Sequence, residues 1–294
     1  MLTPRNKEQE VLLALYRYTL LTTDQFCTLL HYRPDTMYQT LSKMRKLDWT
    51  QPMRLAFLRH NVKGWTLTKE GLHLAFGLTK ETRSALLRQP GTPPSQAVHL
   101  YGTNRFFMGL ISESLSSADE GLVEWIGMRD SGDRYAITNA KGRRATPIRP
   151  DGIGTYRFSD GSVVTFHVEY DTGSEHAWTL YQKLWTYALH LPKFWADVGS
   201  ANVLFITREE HRVGRILELW DGLLETHLKG QPIPAVWAIT ERRMDAEGVL
   251  GTVWSGRSGR TSRFENFPQS DGDAYRLMTP LGKQTRLSPF TKRS

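Results

Sequence analysis

Two alternating apolar stretches on either side of the loop Ser159–Gly161 place the strongest constraint on the fold of this chain. The segments PIRPDGIGTYRF (147–158) and SVVTFHVEYD (162–171) each predict a β-strand, and the loop favours a tight hairpin whose glycine adopts the left-handed conformation. If Phe158 pairs with Ser162, the residue numbers of any two residues that face each other across the hairpin sum to 320. The chain must then form an antiparallel sheet here, and a slip of one residue would move every side chain to the opposite face.

This register places several carboxylates on one face of the hairpin. Asp151 lies directly opposite Glu169, and Asp171 follows two residues later on the same face. Like charges at that distance are unfavourable unless a cation bridges them, and oxygen ligands suit Mg²⁺ or Mn²⁺. The sequence therefore predicts a site built from Asp151, Glu169 and Asp171, with Asp151 and Glu169 as metal ligands if the site is catalytic and no cofactor otherwise.

A lysine is predicted on the buried side of the next helix. The helix runs from about 174 to 190, and Lys183 falls within its apolar stripe, which includes Leu180, Leu184 and Tyr187. A lysine beside a metal-bound water could orient that water or stabilise a developing phosphate charge. The alternative is that Lys183 extends to the domain edge and the acids form structural ion pairs. Lys183 is therefore the fourth candidate catalytic residue.

The surrounding segments alternate between helix and strand. A helix at 99–115 and a strand at 122–128 precede the hairpin, and a strand, a helix and a strand follow Lys183 in NVLFIT (202–207), 209–228 and PAVWAIT (234–240). This order resembles the core of restriction-type nucleases and, through Pro150-Asp151 and Glu169-Tyr170-Asp171, the PD-(D/E)xK phosphodiesterase superfamily. Asp171 occupies the usual lysine position, while Lys183 lies where some branches place a lysine on the following helix. The resemblance implies a mixed-sheet, restriction-endonuclease-like domain and leaves open whether it cuts DNA.

The first ninety residues predict a different kind of module. Helical patterns at 5–18 and in DQFCTLL precede a third helix, which begins near Pro34 and ends in KMRKLDW. RLAFLRH (54–60) and GWTLT (64–68) then predict two strands, and KEGLHLAFGL a further helix. Three helices and a hairpin indicate a winged helix-turn-helix. The fold class is therefore α+β or α/β, with an N-terminal winged helix-turn-helix before the mixed-sheet domain.

The charge of the chain is concentrated in that N-terminal module. Residues 1–90 hold 14 Lys and Arg against 7 Asp and Glu, whereas the remaining 204 hold 24 against 23. A local basic excess favours a polyanionic partner, and double-stranded DNA suits a winged helix, although such modules also dock proteins. The candidate residues lie on the exposed face of the third helix and in the wing: Tyr38, Gln39, Ser42 and Lys43 near base edges, and Arg45, Lys46, Arg59 and Lys63 near phosphates.

These patterns predict the boundaries of the domains. The winged helix occupies 1–88, a linker rich in proline occupies 89–97, and the nuclease-like domain occupies 98–250. Residues 251–294 are rich in Gly, Ser and Arg and predict a flexible basic tail. The charged N-terminus and the lack of an 18-residue apolar run predict a cytoplasmic protein without a membrane segment.

The layout as a whole resembles the replication-relaxation family of plasmids and other mobile elements. The resemblance rests on the order of short motifs over about 5–240: WTLTKEGLHLA, HLYGTNRFF, RPDGIG, FHVEYDTGSE and YQKLWTYA. It implies a DNA-binding protein that acts in replication or DNA relaxation, with metal-dependent DNA nicking as one interpretation. In the other, the protein is a replication or transcription regulator whose nuclease-like domain is a non-catalytic platform for DNA or protein. Other replication or mobilisation proteins and a homodimer are compatible partners, although no heptad run requires a dimer.

Overall fold

The computed structural model describes residues 3–58, 61–79, 94–115, 117, 119–138 and 142–270. These residues form two compact units, one ending at Met108 and the other beginning at Gly109. The fold is a mixed α+β structure, with a helical N-terminal region followed by a large sheet, as the sequence predicted. Within the described residues, no helix is long and apolar enough to cross a bilayer.

The first unit combines helices with a small antiparallel sheet. Its elements are α1 (Asn6–Tyr18), β1 (Leu21–Thr22), α2 (Thr23–Leu30), α3 (Pro34–Lys46), β2 (Thr50–Arg54), β3 (Lys63–Leu67), α4 (Lys69–Leu78) and the first part of α5 (Pro94–Ser114). The strand order is β1-β3-β2, and both pairs are antiparallel. The first strand of the predicted hairpin, β2, lies earlier than RLAFLRH predicted, because Trp49 and Thr50 bury their side chains after α3 and the pairing Thr50–Leu67 begins there.

Local sequence explains where the helices of this unit begin. Thr22 caps α2, since its hydroxyl accepts a hydrogen bond from the Gln25 amide while the Gln25 side chain accepts one from the Thr22 amide. Pro34 occupies the first turn of α3, where its missing N–H costs no helical hydrogen bond. Met37, Leu41 and Met44 of α3 are at most 1% exposed, so the apolar stripe predicted for this helix is the face that packs.

The second unit is built around a seven-stranded mixed sheet. Its elements are the end of α5, β4 (Gly121–Gly127), α6 (Met128–Arg134), β5 (Ile137–Thr138), β6 (Arg144–Ala145), β7 (Gly152–Arg157), β8 (Val163–Asp171), α7 (Ala177–His190), β9 (Asn202–Thr207), α8 (Glu210–His227), β10 (Ala235–Thr240), α9 (Glu241–Glu247), β11 (Val253–Gly256) and β12 (Thr261–Arg263). The strand order is β12-β11-β10-β9-β8-β7-β4, and the central strands β8, β9 and β10 are parallel. Strands β5 and β6 pair separately as a two-stranded sheet.

The central hairpin has the predicted register. Strand β7 pairs with β8 from Gly152–Val168 to Arg157–Val163, so each pair sums to 320. Gly161 has a φ of 86°, the left-handed conformation expected in the loop. Asp151 continues the ladder, since its backbone N–H donates to the Val168 carbonyl at 2.9 Å.

Apolar side chains from α7 and α8 cover one face of this sheet. Leu180 and Leu184 of α7 and Ile216 and Trp220 of α8 pack in one buried cluster with inward residues of the sheet, including Phe205. Each of these side chains is at most 1% exposed. This layer fixes the faces of α7 and α8 and thereby decides which of their polar side chains meet the end of β8.

The segment predicted as a flexible tail from residue 251 is ordered as far as Ser270. Strands β11 and β12 extend the sheet beyond β10. Trp254 and Phe264 are fully buried, and the Phe267 ring stacks on Trp237 with centroids 4.4 Å apart. The prediction is wrong for residues 251–270 because these few aromatic side chains bury more apolar surface than the average composition indicated. Residues 271–294 lie outside the described part of the chain.

Candidate functional site

The carboxyl end of β8 and the adjacent face of α7 hold a buried cluster of charged side chains. Glu169 is 3% exposed, and its two oxygens have different partners. Oε2 lies 3.1 Å from Lys183 Nζ, and Oε1 accepts a hydrogen bond from the Tyr187 hydroxyl at 2.5 Å. Lys183 also reaches Glu175 Oε1 at 3.4 Å. The lysine on the apolar stripe of α7 is therefore paired with the strand carboxylate that the sequence placed near it.

Asp151 joins this cluster from β7's side of the hairpin. Its Oδ2 accepts a hydrogen bond from the Tyr170 backbone N–H at 2.8 Å, so the carboxylate takes the position of a strand carbonyl at the end of the ladder. Burial raises the pKa of Glu169 to about 7, and the charge of Asp151 adds to this rise while Lys183 opposes it. The two carboxylates thus interact, as their predicted positions opposite each other required.

Lys183 remains a cation in this environment. Burial by itself would lower its pKa, but the charges of Glu169, Asp151 and Glu175 outweigh burial and raise it above the usual value. The Lys183 side chain as a whole is 25% exposed, so it is partly accessible to solvent while its ammonium group contacts the acids. Such a group can neutralise buried carboxylates and can also face an anion from solvent.

Asp171 does not share this arrangement. The Asp171 side chain is 1% exposed and forms a buried bidentate pair with the guanidinium of Arg212 from α8. Arg212 Nη2 donates to Oδ1 at 3.2 Å, and Arg212 Nε donates to Oδ2. Asp171 also accepts from the Gly173 N–H at 3.0 Å. The sequence placed Asp171 on the same face as Glu169 as an assisting residue of the site, and in the structure Arg212 of α8 contacts both of its carboxylate oxygens.

Sequence reasoning missed Arg212, which holds this end of the sheet together. Besides Asp171, its guanidinium donates to the Glu175 carbonyl at 2.9 Å, and Glu175 in turn contacts Lys183. Arg212 precedes Ile216 and Trp220 by four and eight residues, so it lies on the apolar stripe of α8. A charged residue on an apolar stripe is the same signal that singled out Lys183, and it would have identified Arg212.

The carboxylates present can be compared with what a divalent ion requires. Mg²⁺ is usually held by one or two carboxylates together with substrate phosphates and water. Asp151 and Glu169 match the first part of that set. Among the residues that the structure describes, no group of three or more His, Cys, Asp or Glu side chains lies together as a metal-binding cluster.

A second candidate surface lies on α3 in the first unit. The residues predicted to contact DNA from this helix are all exposed: Tyr38, Gln39, Ser42, Lys43, Arg45 and Lys46. Five of them line a depression of about 430 Å³: Tyr38, Gln39, Ser42, Lys43 and Lys46. Tyr38 exposes 57% of its surface, which is unusual for a large aromatic side chain. Lys63 is exposed in β3, whereas Arg59 lies outside the described residues.

The two units therefore define a protein of the α+β class that pairs an exposed polar helix face with a sheet carrying a buried cluster of carboxylates and lysine. Residues 12–193 match the family model described as Replication-relaxation, and the chain belongs to this family. The match covers α3 and the cluster of Asp151, Glu169 and Lys183, and it ends before α8. No curated protein and no solved structure matches the chain.

Proposed function

We propose that this protein binds double-stranded DNA during the replication or relaxation of a plasmid or other mobile element, in the cytoplasm, with its first unit acting as a winged helix-turn-helix. The observation that carries the proposal is the exposed polar and basic face of α3. The helix presents Tyr38, Gln39 and Ser42 together with lysines at the rim of one depression. A helix of this kind fits the major groove, where polar side chains reach base edges and cations reach phosphates.

Salt dependence of binding tests this proposal. The full-length protein is titrated against a fluorescent duplex of arbitrary sequence at several salt concentrations. We expect the logarithm of the association constant to fall linearly with the logarithm of the salt concentration, with a slope of about −0.9 for each phosphate neutralised. Binding that ignores salt, or no binding at about 50 mM salt, would contradict the proposal.

Metal-dependent nicking by the second unit is a second candidate function. It is favoured by the meeting of Asp151, Glu169 and Lys183 at the end of β8. In this function Asp151 and Glu169 would hold a Mg²⁺ or Mn²⁺ ion, which supplies Lewis-acid chemistry when bound. Lys183 would face the phosphate from the rim of the cluster, and Tyr187 would fix the orientation of Glu169.

The alternative for the second unit is a non-catalytic platform. In that case Lys183 and the acids stabilise the fold and the protein acts as a replication or transcription regulator. Supercoiled plasmid from the protein's own genetic neighbourhood, incubated with Mg²⁺ or Mn²⁺, distinguishes the two. Nicking by the wild type that is lost in folded Asp151→Ala and Lys183→Ala favours the nuclease, and binding without nicking favours the platform. Lys193→Ala, at an exposed lysine that follows α7, serves as the lysine control.

A further inference from the structure

Glu8 of α1 is a buried carboxylate that faces the polar surface of α3. Its side chain is 7% exposed, and its Oε1 lies 2.5 Å from Lys43 Nζ. Its Oε2 accepts a hydrogen bond from the Arg5 backbone N–H at 2.7 Å. Burial works against the charged form of Glu8, but Lys43 and Arg5 outweigh it and lower the pKa of the carboxyl group. Glu8 is therefore a fixed negative charge beneath α3.

Lys43 is shared between this carboxylate and the depression on α3. Its ammonium group contacts Glu8, and its side chain is 49% exposed, so the side chain is both paired and accessible to solvent. It lines the depression together with Tyr38, Gln39, Ser42 and Lys46. The ion pair restricts a long, flexible side chain to one position and cancels most of its charge at long range. Lys43 thus differs from its neighbour Lys46, although the sequence presents them as equivalent cations.

We propose that Glu8 is a specificity-determining positioning residue for DNA recognition by α3. It holds Lys43 as a fixed hydrogen-bond donor towards the groove and reduces the attraction of the same lysine to phosphates. Contacts to phosphates carry no direct sequence information, whereas contacts to base edges do. A negative charge beneath the reading helix therefore weakens binding to arbitrary DNA more than binding to the preferred site. This inference rests on the DNA binding proposed above.

The first test is Glu8→Gln in the full-length protein. Glutamine keeps an oxygen that can accept from the Arg5 N–H but removes the charge. We expect the affinity for an arbitrary duplex to rise roughly three- to tenfold at about 0.1 M salt, and the salt slope to steepen by about 0.9. We also select a preferred duplex from a random pool with the wild-type protein. The ratio of the affinity for this preferred duplex to the affinity for an arbitrary duplex should be lower in Glu8→Gln than in the wild type. Thermal unfolding confirms that the variant is folded.

A second pair of variants leaves the Glu8 side chain itself unchanged. Lys46→Gln should reduce the salt slope by about 0.9, whereas Lys43→Gln should change it by less than roughly 0.3, because Lys43 is held against Glu8 and neutralises no phosphate. In addition, Lys43→Gln in the Glu8→Gln background should abolish the gain in affinity. The two single variants, Lys43→Gln and Lys46→Gln, change exposed side chains and remain informative even if Glu8→Gln fails to fold.

The outcomes separate this inference from the proposed function. If the wild type does not bind duplex DNA, the proposed function fails and the inference fails with it. If the wild type binds with the expected salt dependence but folded Glu8→Gln binds arbitrary DNA no more tightly, only the inference fails. Equal slope losses in Lys43→Gln and Lys46→Gln, or a gain that persists without Lys43, would also overturn it.

Discussion

The two units place their best-defined charges in opposite environments. On α3 of the first unit, Arg45 and Lys46 are exposed, whereas Met37 and Met44 of the same helix are buried. At the end of β8 in the second unit, Glu169 and Asp171 are nearly inaccessible and are paired with cations from two different helices. Exposed charges contribute little to stability and are available to a partner, whereas buried charges are costly unless they are paired within the fold. We therefore expect recognition of a partner to reside in the first unit and internal order or chemistry in the second.

Removing a buried partner in the second unit should produce the largest effect. Arg212→Ala leaves Asp171 buried without its cation, which we expect to lower the free energy of unfolding of that unit by about 3–5 kcal/mol. Urea denaturation followed by tryptophan fluorescence measures this loss, because seven of the nine tryptophans lie between residues 109 and 282.

The matched control for this change is Arg215→Ala. Arg215 lies one turn further along α8 and pairs with Glu218 at 3.3 Å, but both side chains are well exposed. Its loss should cost less than about 1 kcal/mol. Similar losses in the two arginine variants would show that burial does not distinguish the charges of this unit.

The pH dependence of stability should show the next largest effect. Because the pKa of Glu169 is raised to about 7 in the folded protein, the folded state binds this proton more tightly than the unfolded chain does. Wild-type stability should therefore fall relative to Glu169→Gln as the pH rises from about 4.5 to about 7. The change is a few kcal/mol at most, since each pKa unit corresponds to about 1.4 kcal/mol.

His167 makes the comparison with a variant necessary. Burial lowers the pKa of His167 to about 4, so its contribution to stability is lost as the pH falls from 6.5 through 4, the opposite trend. This contribution is common to the wild type and Glu169→Gln and cancels in their difference. Glu175→Gln, at a more exposed carboxylate, is the control, and parallel curves for wild type and Glu169→Gln would contradict the prediction.

Loss of exposed cations from α3 should affect DNA binding rather than stability. The double variant Arg45→Ala and Lys46→Ala should weaken binding to an arbitrary duplex by roughly ten- to sixtyfold at about 0.1 M salt and reduce the salt slope by up to about 1.8. Fluorescence anisotropy at several salt concentrations measures both quantities.

The control carries the same number of changes in the second unit. Arg242→Ala with Arg243→Ala removes two arginines from α9, where Arg243 pairs with Glu210 at 2.7 Å. We expect less than a threefold change in DNA affinity. Equal losses in the two double variants would mean that DNA contact is not concentrated on α3.

The smallest expected effect is on the stability of the first unit. Tyr38→Ala should change the free energy of unfolding by no more than about 0.5 kcal/mol, because Tyr38 is 57% exposed, and should weaken DNA binding. Tyr16→Ala, at a side chain that is 1% exposed in the same unit, should cost about 3–5 kcal/mol. A large loss of stability in Tyr38→Ala would mean that this tyrosine serves the core and not a partner.

Several features followed from the sequence because they depend on local periodicity. The hairpin register was predicted from the length of the loop and from alternation, and the structure pairs Gly152 with Val168 as the sum of 320 requires. The exposed face of α3 was predicted from the spacing of Met37, Leu41 and Met44. Lys183 stands out in the sequence as a charge on an apolar stripe, which predicts an anionic partner, and in the structure that partner is Glu169.

Other features depended on contacts between residues far apart in the chain, and only the tertiary structure decided them. Arg212 is 41 residues from Asp171, and Glu8 is 35 residues from Lys43, so no local pattern pairs them. The order of residues 251–270 depends on stacking such as Phe267 on Trp237. The sequence alone determined which faces of helices and strands are apolar, because side-chain direction repeats with a fixed period. The fold decided which charge each buried carboxylate meets, because the paired charges lie on helices and strands that come into contact only when the chain folds.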